Sequence, residues 1–100
     1  MQYRVLRLLE DHPEYSQRQI AAALGTSLGR THYCLAALVR MGHVKIENFK
    51  ASRHKLGYMH ILTPHGMAER SAIAGRFLNR KIAEYEALAS EIEALKRDAQ

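Results

Sequence analysis

Apolar residues in this chain change their spacing as it proceeds, and each change marks an element. Val5, Leu6, Leu8 and Leu9 recur at helical spacing and predict a helix over Gln2–Asp11 with a wide buried face. His12-Pro13 ends it, because the residue before a proline is kept out of the helical region. Tyr15 is placed to pack at the entry to the next helix. Ile20, Ala21 and Leu24 form the inner face of that helix. Ser16 is its N-cap, and Gln19, three residues on, completes a capping box. Gly25 supplies the left-handed residue that closes it. Ser27 caps a third helix, from Leu28 to about Met41, whose inward face is Leu28, Thr31, Leu35 and Leu38. Gly42 stops it.

The period then drops to two. Val44 and Ile46 alternate with polar residues, as in a half-buried strand. Gly57–Leu62 is a second strand, apolar on both faces, so the pattern alone does not choose between Tyr58/Leu62 and Met59/Ile61. The nine residues Asn48 to Leu56 read as the loop of a hairpin. Thr63 then caps a last helix with Pro64 at its first position, where a missing N–H is harmless. No breaker follows up to Ala99, so this helix is about 50 Å long, more than a core of this size can cover. Leu78, Tyr85, Ile92 and Ala99 repeat as one heptad position and Leu88 and Leu95 as the other, with Ile82 beside them and Lys81 occupying a seam position. The expected architecture is mainly α with a small β-hairpin. Residues 1–63 form a winged helix-turn-helix, and residues 64–100 form a long, coiled-coil-like C-terminal dimerisation helix.

Composition is ordinary for a globular domain, and 100 residues make one modest core. Charge changes the picture more. Residues 1–66 hold nine Lys/Arg against four acids, and residues 67–100 hold six of each. Between Tyr15 and Ala68 the single acid is Glu47. A basic block on a neutral stalk fits a polyanion partner.

The helix-turn-helix layout says where that partner sits. Small Ala21 and Ala22 let the second helix approach the third, and Gly25 turns the corner. The third helix is then held across the second with Ser27, Gly29, Arg30, His32, Tyr33 and, further along, Arg40 directed outward. This is how a recognition helix presents side chains to base edges. Arg30 suits a bidentate contact to guanine, and the backbone N–H groups at Ser27–Arg30 suit a phosphate. Lys50, Arg53, His54 and Lys55 form a basic hairpin tip, with Arg53 suited to a minor groove and the lysines to phosphates. The expected partner is double-stranded DNA. Leu78, Ile82, Tyr85, Leu88, Ile92 and Leu95 need cover, and a second copy is the simplest source, giving a homodimer on a pseudo-palindrome.

The run SQRQIAAALGTSLGRTHYCLAALVRMGHVKIENF, the basic loop and the LTPHG step into a long helix resemble the MarR-family winged-helix regulators. Extended through RHKLGYMHILTPHG and FLNRKIAEYEALASEIEAL, the chain is similar to the small EPS-associated MarR-type transcriptional regulators. The resemblance covers nearly the whole chain. It implies a dimeric, cytoplasmic DNA-binding regulator linked to exopolysaccharide gene clusters, with Ser27–Tyr33 as the reading part and Lys50–Lys55 as the wing tip.

Other chemistries find little support. The six histidines show no helical ligand pair and no finger spacing, so no metal is expected; His60 and His65, flanking a strand-to-helix junction, are the pair that chain order brings nearest. Cys34, the lone cysteine, reads as core filler. No paired carboxylates or nucleophile–base set points to an enzyme, and no cofactor or small-molecule effector is indicated. No apolar run reaches the length of a membrane span, and the start MQYRVLRLLED has no signal-peptide layout, so the expected location is cytoplasmic. The rival function is a winged-helix adaptor whose long helix recruits a different protein. RNA fits less well, since Phe49 is the one aromatic at the tip.

Overall fold

The computed structural model describes the backbone of residues 1–52 and 55–100, and the side chains of residues 1–48 and 57–100. The elements run α1 (Gln2–Asp11), α2 (Gln17–Leu24), α3 (Leu28–Arg40), β1 (Val44–Ser52), β2 (Lys55–Leu62) and α4 (Pro64–Asp98). The molecule measures 73 × 26 × 21 Å because α4 runs far past the rest.

Local chemistry sets the helix ends. The Gln19 N–H donates to Ser16 Oγ at 3.1 Å, and the Ser16 N–H donates back to Gln19 Oε1 at 2.7 Å. Both bonds of the capping box are therefore present. Gly25 closes α2 at φ 64°, and the Thr26 N–H reaches the Ala21 carbonyl at 3.0 Å. The Arg30 N–H donates to Ser27 Oγ at 3.1 Å, starting α3 three residues after the corner. Gly42, at φ 76°, turns the chain out of α3 into β1.

The core lies where α1, α2 and α3 meet the base of the hairpin. Val5, Leu6, Leu9, Ile20, Leu35, Leu38, Val44 and Leu62 are buried together, and α4 contributes Ile73. Thr31 is fully buried; its methyl packs while its hydroxyl donates to the Ser27 carbonyl at 3.0 Å. Two expected core positions are not core. Leu28 is 41% exposed, and Ile46 is 51% exposed although its cross-strand partner His60 is buried. Leu8 and Leu24 are only partly buried. In β2 it is His60 and Leu62 that face inward, while Tyr58, on the same face, lies beyond the lobe and is exposed.

The hairpin is antiparallel, pairing Val44 with Leu62 and Asn48 with Tyr58, with an irregularity between Lys50 and Ser52. Pairing extends further than the sequence pattern marks: Lys50 and Lys55 fall inside β1 and β2 rather than in a loop from residue 48 to 56. The hairpin is tied to the α1–α2 turn by the His60 N–H, which donates to the Pro13 carbonyl at 3.0 Å. Tyr15 stacks on His12 in that turn at 4.3 Å.

His60 is 6% exposed and its Nδ1 has no partner among the described residues. Burial pushes its pKa below the ordinary 6.5, and the Tyr15 backbone pulls the other way. An unfolded chain therefore takes up this proton at a higher pH than the folded chain does. Stability from this site is complete above about pH 6.5 and declines as pH falls below that value. Urea melts at pH 8, 6.5 and 5 should show this decline in the wild type and a shallower one in His60→Phe. Equal slopes would place the acid sensitivity elsewhere.

Candidate nucleic-acid interface

Helix α3 meets the core through Thr31, Cys34, Leu35 and Leu38. At 3.6 residues per turn, the opposite side is the row Gly29, Tyr33, Ala36 and Arg40. Tyr33 is 74% exposed, and Gly29 and Arg40 are exposed with it. Ala36, between them, is half-buried. A Cβ on Gly29 would meet nothing within 4 Å, and Gly29 does not have a positive φ.

The remaining candidates sit on the two shoulders of the row. Arg30 shares a cleft of about 480 Å³ with Met1, Gln2, Tyr33, Cys34 and Ala37, on the α1 side. His32 lies on the hairpin side, in a cleft of about 280 Å³ with Gln17, Ala36, Arg40, Ile46 and His60. Ser27 holds the tip of the helix, and the first amides of α3 have no carbonyl of their own helix to bond. The outward faces thus offer two guanidinium groups, a phenol, an imidazole and a helix start.

Charge on this side is free to act. Lys45 is paired with Glu47 at 2.8 Å. Among the described residues no acidic side chain pairs with Arg18, Arg30 or Arg40. The side chains of Lys50, Arg53, His54 and Lys55, expected at the hairpin tip, lie outside the described residues. Gln17 was not among the expected residues; its Oε1 lies 3.2 Å from His32 Nδ1. Nothing in the sequence pattern pairs two residues fifteen positions apart on different helices.

Cys34 is buried, and burial raises its pKa, with the N-terminal ammonium acting in the opposite sense. The thiol stays protonated, which suits packing. His65 does not meet His60; its ring lies 4.7 Å from that of His43. Among the described residues no group of three or more His, Cys, Asp or Glu is placed to hold a metal. No described helix is long and apolar enough to cross a membrane.

Helix α4 carries the other candidates. Ile73 and Phe77 face the lobe, where Phe77 meets Tyr3 edge-on at 5.8 Å and Arg80 lies 5.7 Å over the Phe77 ring. Arg70 forms an ion pair with Glu10 of α1 at 3.0 Å. Leu78, Ile82, Tyr85, Leu88, Ile92 and Leu95 are all exposed, on a stretch that leaves the lobe behind.

These features define a winged helix-turn-helix with a long C-terminal helix. Residues 1–45 match the family model for winged helix-turn-helix DNA-binding domains. A search of curated proteins finds no match. Among solved structures, a MarR/EmrR family transcriptional regulator from Acinetobacter sp. ADP1 superposes with a TM-score of 0.63 at 17% identity, over 98% of this chain and 73% of that one. MarR from Staphylococcus aureus, solved with salicylate and kanamycin, gives 0.57 at 19% identity, over 82% of this chain and 55% of that one. FabT from Streptococcus pneumoniae, solved in complex with DNA, gives 0.56 at 15% identity, over 99% of this chain and 76% of that one. At these identities the likeness is one of fold, and that fold is the one MarR-type regulators have. The chain spans little more than half the length of the staphylococcal protein.

Proposed function

We propose that this protein is a sequence-specific, DNA-binding transcriptional regulator of the MarR type, acting as a homodimer on a pseudo-palindromic operator. One observation carries the reading: Gly29, Tyr33 and Arg40 on the outer row of α3 are exposed, and the guanidinium groups around that row have no acidic partner among the described residues. Arg30, His32 and Tyr33 select bases. Arg40 and the wing residues Lys50, Arg53, His54 and Lys55 hold the backbone. Ser27 and Gly29 let the helix start approach a phosphate. Leu78, Ile82, Tyr85, Leu88, Ile92 and Leu95 join two copies, which sets the two recognition helices about one helical turn apart. The resemblance to EPS-associated regulators makes an exopolysaccharide gene cluster the first target to try, in the cytoplasm. The FabT structure, with DNA, is the relative that supports this partner.

A gel shift against the upstream DNA of the protein's own gene, repeated across salt concentrations, tests the reading. Affinity should fall steeply with salt, as counterion release demands. Salt-insensitive binding to a protein partner instead would favour an adaptor.

Variants then separate the roles. Arg30→Ala should cost about 1–3 kcal/mol on the operator and relax one position. Lys50→Ala should weaken binding on every sequence and lower the salt slope by about 1. Equal losses for Arg30→Ala on operator and random DNA would contradict its role as a reader.

Gly29 offers a sharper discrimination. A helical glycine costs about 0.5–1 kcal/mol relative to alanine, and among the described residues no atom lies within 4 Å of where the alanine Cβ would sit. If a duplex is what comes close, Gly29→Ala makes the protein more stable by about that amount and weakens DNA binding about tenfold. Paired thermal melts and binding isotherms report both; a stabilised variant with unchanged affinity would show that the duplex does not approach there.

A further inference from the structure

Beyond backbone packing, α2 and α3 are joined by a polar side-chain contact. Gln17 Oε1 lies 3.2 Å from His32 Nδ1. A carboxamide oxygen accepts hydrogen bonds and cannot donate them. With the Gln17 oxygen as the atom that faces the ring, a neutral His32 would carry its hydrogen on Nδ1 and keep the lone pair on Nε2. His32 is exposed on the shoulder of α3, on the cleft it shares with Gln17, Ala36 and Arg40.

A lone pair there has a limited set of partners. Phosphate oxygens are acceptors and do not match it. In the major groove, guanine and thymine present acceptors, whereas adenine N6 and cytosine N4 present amines. On one strand of a base pair, such a group therefore separates A or C from G or T. Resting on the DNA-binding reading above, we propose that His32 reads an adenine or cytosine amine through Nε2, and that Gln17 is the positioning residue that fixes its tautomer. One base preference is thus set jointly by two helices. Gln17 acts without touching the duplex.

Two measurements on the full chain test this at pH 8. The first needs no DNA. Nitrogen NMR of His32 should place the proton on Nδ1 in the wild type and in Gln17→Glu, whose carboxylate also accepts. Gln17→Leu should move it toward Nε2. A wild-type ring protonated on Nε2 would overturn the proposal.

The second is selection of bound duplexes from a randomised pool. The wild type should favour A or C over G or T about three- to tenfold at one position per half-site, the worth of one hydrogen bond. Gln17→Leu and His32→Ala should lose that preference and keep the others. Gln17→Glu should keep it at lower overall affinity, since a carboxylate repels the backbone. A preference that survives in Gln17→Leu overturns the positioning role. Selection of a clear operator in which no position responds to His32→Ala overturns this assignment alone. Selection of nothing by the wild type overturns the DNA-binding reading and this proposal with it.

Discussion

Ending the chain at Asn79 should leave a folded monomer that has lost nearly all hold on a two-half-site operator. The lobe does not need what is removed. Its core draws on α4 only as far as Ile73, and Phe77 finishes the contact with Tyr3. Ile82, Tyr85, Leu88, Ile92 and Leu95 are exposed and add nothing to that core. Such a row of large apolar side chains, on about 28 Å of helix beyond the lobe, is stable in water only when covered. On the proposed reading, a second copy of the same row covers it with matching heptads. Sedimentation should give a dimer for the full chain and a monomer for the shortened one. Operator affinity should fall by about 10² to 10⁴, the gain that linking two weak sites provides. A shortened chain that still sediments as a dimer would place the interface elsewhere.

Gly66→Ala should be the most damaging single substitution in the lobe. Gly66 is buried in the first turn of α4, and a Cβ there falls on the carbonyl oxygen of His43. Both groups belong to backbone that is fixed on other grounds. The Thr63 N–H donates to the same His43 oxygen at 3.1 Å, Thr63 Oγ1 donates to the Gly42 carbonyl, and the Gly66 N–H donates to Thr63 Oγ1 at 3.0 Å. A methyl group cannot be relieved by a side-chain rotation, so α4 must tilt or the turn must open. The expected loss is about 3 kcal/mol or more. For a domain of this size that lowers the melting temperature by more than about 12 °C. A variant melting within about 2 °C of the wild type would show that the junction has room to give. Gly29→Ala, at a site with no neighbours, is the natural control.

The helix boundaries were legible because they are local. Ser16 with Gln19, Ser27 and Thr63 each bond amides within three residues, and Gly25 turns the chain where it stands. Such features survive translation from sequence to structure without knowledge of the rest of the fold. Leu28 and Ile46 were misread because burial depends on what lies opposite. Helical spacing puts Leu28 in line with Thr31, yet Leu28 is 41% exposed where Thr31 is fully buried. Strand alternation treats Ile46 like Val44, yet Ile46 is 51% exposed while its partner across the hairpin, His60, is buried. The facing of β2 was undecidable from its own residues; the packing of the lobe buries His60 and Leu62 and so turns that face inward. At the candidate interface, the outward side of α3 followed from its period. The Gln17–His32 contact did not, because it depends on the angle at which two helices cross.

If two copies pair along α4 as proposed, its unbroken course makes the distance between their reading heads an angular quantity. From Arg80 onward the rod has left its own lobe, so a head is carried at the end of a lever about 28 Å long. Swinging that lever by about 5° displaces the head by about 2.4 Å, most of the about 3.4 Å rise between neighbouring bases. Anything that splays or closes the crossing of the two rods would therefore shift both heads out of register with the groove, without touching a residue that reads it.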